Sequence, residues 1–249
     1  MNALSVKDLG LNIGGARILE GITLAVKSNE TLGIIGPNGA GKTSFFNLIS
    51  GIRQPSQGQI FLGDQDITNL PPHRRAALGI ARTFQSSSIF TNLTCLENVR
   101  IAAQAAYGHS MNLTKSAYSF KEIVKRSREC LEQVGIVHLS AQSAGSLSHG
   151  DKRRLEIAIV LAQASSVILL DEPMAGLSME SIPQVVEIIR SLASVHKKTV
   201  LIVEHHMDVV LDLADRIAVL NYGELLTIGS PKEVMNNQIV LSAYIGESL

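Results

Sequence analysis

Gly36-Pro37-Asn38-Gly39-Ala40-Gly41-Lys42-Thr43 places a glycine, four free positions and then Gly-Lys-Thr in one run. That is the spacing of a phosphate loop. The apolar segment Thr31 to Ile35 precedes it and reads as a strand, and Ser44-Phe45-Phe46-Asn47-Leu48-Ile49-Ser50 follows and reads as a helix. Strand, loop and helix in that order are the context the motif requires. Glycines let backbone N–H groups turn inward around phosphate oxygens. The helix N-terminus adds partial positive charge at the same point. In this setting Lys42 reaches the β and γ phosphates, and the Thr43 hydroxyl is a ligand for Mg²⁺.

Outward from the loop, the pattern is that of an α/β core. Leu4, Val6, Leu9, Leu11 and Ile13 alternate with polar residues, then Gly14-Gly15, then Ile18, Ile22, Leu24 and Val26. This predicts an antiparallel strand pair. On the C-terminal side, Gln59 to Leu62 and Ile80 to Gln85 read as strands, and Pro71 to Leu78 as a short helix. From about 87 to 156 strand signals fade and helical spacing takes over. There Ser119 and Glu122 make a capping box, Phe120, Ile123, Val124, Leu131 and Val134 share a face, and Gln104 to Lys115 reads as a loop. Helices are expected from Gly150 to Ala164 and from Met179 to Val195. Val167 to Leu170 is wholly apolar, as strands covered on both faces are, and Thr199 to Val203 reads as a second apolar strand. Asn221-Tyr222-Gly223 reads as a hairpin turn, and Ser230-Pro231-Lys232-Glu233 as a capped helix start. The strand–helix alternation predicts a mostly parallel sheet. The expected organisation is one domain over 1–249, with a core of 1–86 and 157–249 and a helical subdomain inserted at 87–156.

Composition narrows the function classes. The chain has 249 residues, 22 Lys and Arg against 22 Asp and Glu, and 45% hydrophobic residues. A neutral balance gives no support to a nucleic-acid binder. The two cysteines, Cys95 and Cys130, have no metal or disulfide spacing, which suits a reducing compartment. Met1 to Gly10 carries no signal pattern, and no apolar run approaches the roughly 18 residues of a membrane span. Any membrane association is therefore expected through a partner.

Ligands of a parallel sheet sit at the carboxyl ends of its strands. Asp171 and Glu172 directly follow the apolar strand there. Alone, such a pair would be a plain strand end. Beside a phosphate loop, Asp171 suits Mg²⁺ and Glu172 suits the orientation or deprotonation of an attacking water. Glu204-His205-His206 ends the next strand, where an imidazole can meet the γ-phosphate. His73, His109, His138 and His196 read as surface positions, and Cys130 as packing. Ser148 reads as the N-cap of a helix with Asp151 at its third position, and a Ser/Gly helix start is also an anion site.

Taken together these motifs resemble an ABC transporter ATP-binding subunit along essentially the whole chain. Gly36 to Thr43 is similar to the Walker A motif, Gln85 to the Q-loop glutamine, Leu147 to Asp151 to the signature motif and Val167 to Asp171 to Walker B. Glu172 falls at the catalytic glutamate, Ala175 to Ser178 at the D-loop and His205 at the switch histidine. The resemblance implies a RecA-like P-loop ATPase core with an antiparallel β subdomain and an inserted α-helical subdomain. It implies ATP and Mg²⁺ as ligands. Ile13, Gly36, Pro37, Asn38, Gly39, Ala40, Gly41, Lys42, Thr43 and Ser44 would bind nucleotide, Ser148 and Gly150 would act on the nucleotide of a second ATP-binding subunit, and Thr43, Gln85 and Asp171 would hold the metal. Glu172, His205 and Gln85 would serve catalysis.

The implied partners are transmembrane permease subunits, a second ATPase chain and, indirectly, an extracytoplasmic substrate-binding protein. The implied location is the cytoplasmic face of the membrane. Gly79 to Gln85, Leu96 to Val99, Arg153 to Ala158, Val203 to His205 and Ala243 to Glu247 are similar to the branched-chain or hydrophobic amino acid importers and their urea-type relatives. The lipopolysaccharide-export ATPase is a related alternative, and a soluble ABC ATPase without a membrane partner is a more distant one. Four departures from the pattern matter. No aromatic precedes Phe45 near Ile13, His149 and Asp151 replace Gly and Gln of the signature, Ser178 replaces the D-loop Asp or Asn, and His206 replaces an Asp. These bear on nucleotide affinity and dimer closure rather than on the catalytic groups.

Overall fold

The computed structural model describes residues 1–83, 89–107 and 121–245. Gln85 lies outside the described residues, as do Phe84, His109, Ser119, Phe120, Gly246 and Glu247.

The alternating N-terminal stretch forms β1 (Asn2–Ile13) and β2 (Ala16–Lys27), antiparallel and joined at Gly14-Gly15. With β4 (Gln57–Leu62) and β5 (Gln65–Asp66) they make a four-stranded sheet in the order β2-β1-β4-β5. The second sheet holds β3 (Thr31–Ile35), β6 (Ile80–Arg82), β7 (Val167–Asp171), β8 (Thr199–Val203), β9 (Arg216–Asn221) and β10 (Glu224–Gly229). Its order is β10-β9-β3-β8-β7-β6, with parallel pairing from β9 to β6 and an antiparallel β10 at the edge.

All five residues of β3, β7 and β8 are buried. The side chains of each alternate between two cores, which is why the strands are apolar at nearly every position. Leu169, Leu201 and Val203 join Leu4, Leu19 and Phe45 beneath the four-stranded sheet. Ile168, Leu170 and Ile202 join the helical side. There α3 (Cys95–Ala106), α4 (Lys121–Gln133) and α5 (His149–Ala162) supply Val99, Cys130, Leu131 and Leu155. Both cysteines are fully buried, and burial pushes both thiols above their ordinary range.

Three readings differ from expectation. The helix read from Met179 is α6 (Ile182–Ser194), because Pro183 has no N–H and is tolerated only in a first turn. α3 runs to Ala106 and so occupies the start of the loop read from Gln104. His196 is half-buried, and burial first, then Arg126, holds its imidazole below the usual range.

The helix after the phosphate loop, α1 (Lys42–Ser50), ends on an unexpected partner. Arg75, in α2 (Pro72–Ala77), is fully buried. Its guanidinium donates to the Leu48 and Ile49 carbonyls and to those of Thr68 and Leu70. A helix leaves its last carbonyls without partners, and the Arg fork meets several at once. Desolvation lowers the pKa of Arg75 from its ordinary value. The last elements, α7 (Met207–Leu213), α8 (Pro231–Met235) and α9 (Gln238–Ile245), lie beyond β8; α8 begins with the expected capping box at Ser230 and Glu233.

Candidate functional site

The loop after β3 is held where only glycine fits. At Gly36 a Cβ would lie 2.1 Å from the Leu220 carbonyl oxygen, and at Gly41 one would lie 2.4 Å from Leu19 Cδ2. Gly41 has φ of 99° and forms the N-cap of α1. Within the loop the Ala40 N–H donates to Pro37 O at 3.2 Å. Lys42 is buried, and its Nζ donates to Gly36 O at 2.6 Å and Pro37 O at 2.9 Å. Thr43 is exposed at the start of the helix, beside half-buried Ser44. Ile13 ends β1 and is 38% exposed, an apolar surface without an aromatic ring.

β3 and β7 flank β8, so the loop and the β7 carboxylates share one sheet edge. Asp171 is 1% exposed. Its Oδ2 accepts from Arg82 Nη2 at 2.8 Å, and its backbone N–H donates to Thr83 Oγ1 at 3.2 Å. Its Oδ1 is buried and has no hydrogen-bond partner among the described residues. A buried carboxylate oxygen is costly to leave unmatched. A hard divalent cation takes oxygen donors of this kind, so Asp171 and the Thr43 hydroxyl fit one.

Glu172 follows with φ of 49°, an unusual conformation for a residue with a long side chain. The backbone on both sides holds it there. Its N–H donates to Val203 O at 2.9 Å, and its carbonyl accepts from Ala175 N at 3.1 Å and from Arg153 Nη2 at 3.3 Å. The turn aims its side chain across to the end of β8, where Oε1 lies 3.0 Å from His205 Nε2. Two residues that the sequence placed at neighbouring strand ends thus meet directly.

Ser148 and Gly150 stand at the start of α5. Ser148 caps α5, with its hydroxyl accepting from Asp151 N at 3.1 Å and donating to Asp151 Oδ2 at 2.6 Å. Arg154 pairs with the other Asp151 oxygen at 2.6 Å. Gly150 is set against Ser181, whose Oγ would lie 3.2 Å from an added Cβ. No hydrogen bond among the described residues joins either to the phosphate loop.

The family model described as ABC transporter matches residues 19–175, which takes in the phosphate loop, Asp171 and Glu172. This chain belongs to the ABC transporter family. Among ABC relatives, the high-affinity branched-chain amino acid transport ATP-binding protein LivG of Escherichia coli (strain K12) is 37% identical over 98% of both chains. The corresponding protein BraF of Pseudomonas aeruginosa is 36% identical over 98% of both. The lipopolysaccharide export system ATP-binding protein LptB of Haemophilus influenzae is 34% identical over 99% of this chain and 98% of its own. A nucleotide-free ATP-binding cassette from an ABC transporter superposes with a TM-score of 0.86 at 27% identity, covering 98% of this chain and 99% of the other. The ADP conformation of such a cassette gives 0.85 at 28%, covering 99% of each. The ABC cassette fold expected from the sequence is therefore the one observed. No helix among the described residues is long and apolar enough to cross a membrane.

Sequence reasoning missed three residues that organise the site. Arg82 grips Asp171 from β6, and also donates to Asn47 Oδ1 and Ser50 Oγ of α1. Arg153 reaches from α5 to the Glu172 carbonyl while pairing with Glu156 at 2.7 Å. Glu204 is buried directly after β8. The available signal for Arg82 and Glu204 was a charge at the end of an apolar strand.

Proposed function

We propose that this chain is the ATP-binding and ATP-hydrolysing subunit of an ABC importer of the branched-chain amino acid type. The observation that carries the reading is the 3.0 Å approach of Glu172 and His205 at the sheet edge that also bears the phosphate loop and Asp171. Gly36 to Ser44 cradle the phosphates, Lys42 leaves its loop carbonyls for them, and Ile13 offers the base an apolar surface. Thr43, Asp171 and Gln85 hold Mg²⁺, which neutralises phosphate charge when bound. Glu172 accepts a proton from, or orients, the attacking water. His205 holds Glu172 on one side and meets the γ-phosphate on the other.

Residues 87–156 act as the helical subdomain on a core of 1–86 and 157–249, and Gln85 links the two. Ser148 and Gly150 face the nucleotide of a second ATPase subunit. The chain sits at the cytoplasmic face of the membrane on transmembrane permease subunits, with an extracytoplasmic substrate-binding protein acting through them. The similarity to LptB makes lipopolysaccharide export the second reading.

Lys42→Ala tests the phosphate grip. It is expected to weaken ATP binding by about 10²-fold, on the order of two charge-assisted hydrogen bonds. Equilibrium binding of a fluorescent ATP analogue measures this. Unchanged affinity would remove Lys42 from the site. Stimulation of turnover by branched-chain amino acid-binding protein, in vesicles carrying the whole transporter, decides between import and export.

A further inference from the structure

Glu204 is 4% exposed, at a point where the preceding strand has sent apolar side chains alternately into both cores. A carboxylate in such a place is costly unless donors meet it. Here they come from two separate segments. Oε1 accepts from the Met174 N–H at 2.6 Å. Oε2 accepts from the His205 N–H at 2.9 Å and the His206 N–H at 3.4 Å, and lies 3.1 Å from His206 Nδ1.

Those segments are the ones that carry the facing pair. Met174 is two positions past Glu172, and His205 follows Glu204 directly. Glu172 has φ of 49°, so its turn needs outside support to keep its aim. We propose that Glu204 is a positioning residue for hydrolysis. Its two oxygens tie the 172–175 turn to the 205–206 segment and so set the distance between Glu172 Oε1 and His205 Nε2. The inference rests on the roles given to Glu172 and His205 above. The chemistry explains the residue type. An ionised carboxylate accepts at both oxygens, whereas a glutamine of the same shape accepts at one and turns an NH₂ group toward N–H donors. Glu204→Gln therefore keeps the volume and releases one of the two arms.

The test compares wild type, Glu204→Gln, His205→Ala and the double variant in the full chain, measuring kcat and KM for ATP. Glu204→Gln is expected to lower kcat by about 10–100-fold, the scale of a misplaced catalytic group, with KM for ATP changed by less than about twofold. Added to His205→Ala, it should lower kcat by less than about threefold more, because both act through one contact. A wild-type kcat in Glu204→Gln alongside an impaired His205→Ala overturns the positioning role alone. Fully multiplicative losses in the double variant also overturn it. A wild-type kcat in His205→Ala overturns the role given to His205 and the inference with it. Should Glu204→Gln not fold, Glu204→Asp keeps the charge, shortens the reach and is read by the same criteria.

Discussion

Glu172→Gln is expected to leave ATP binding intact and to cut turnover by about 10³-fold, within the range for loss of a general base. The two side chains have the same length and shape, so the positive-φ turn, the Val203 carbonyl contact and the approach to His205 all survive the change. What disappears is the ability to take a proton from water or to polarise it with a full negative charge. Binding is spared because the phosphates are held by the loop and by Lys42, which follow β3 and not β7. A phosphate-release assay, run beside equilibrium binding of ATP, separates the two. Turnover within a few-fold of wild type would take the proton-accepting role away from Glu172. Loss of binding instead would mean that the residue contributes to holding nucleotide.

Arg82→Ala is expected to destabilise the fold by about 3–5 kcal/mol, the usual cost of leaving one partner of a buried ion pair without the other. The Arg82 and Asp171 side chains are 6% and 1% exposed, so solvent screens the pair little. The guanidinium also donates to Asn47 and Ser50 and lies over the Phe46 ring, 5.6 Å from its centroid. One side chain thus joins β6, β7 and α1. Lysine at this position has no fork with which to serve all three. Denaturant unfolding in the absence of nucleotide measures the loss. Asp171→Asn in the same chain should return part of it, because the charge left unpaired is then removed. A cost below about 1 kcal/mol for Arg82→Ala would show that water or a rearranged neighbour replaces the guanidinium.

Much of this fold was legible because local chemistry announces it. The phosphate loop has a fixed spacing. β3, β7 and β8 are apolar at nearly every position because each lies between two cores, and Ser148 and Ser230 cap helices as their neighbours suggested. Asp171 and Glu172 lie where the sequence put them, at the end of such a strand. The missed residues work across distance. Arg82 and Asp171 are 89 positions apart, and Glu204 and Met174 are 30 apart. No periodicity records such a pair, and both depend on the strand order β3-β8-β7-β6. The start of α6 was misplaced because Met179 and Glu180 are good helix formers and Pro183 downstream sets the limit. Arg75 was invisible for a related reason, since an arginine in a short helix normally points to water.

The depth of Cys95 and Cys130 leaves this protein without a thiol at its surface. Both sulfurs are enclosed, and desolvation keeps them in the protonated form that reacts poorly with electrophiles. The native chain should give almost no colour with a disulfide-exchange dye, while the denatured chain should titrate two thiols. A single cysteine introduced at exposed Met179 could then carry a spin label or fluorophore with no prior removal of natural ones. The surroundings of that position, with and without added nucleotide, would be measurable on an otherwise unaltered molecule.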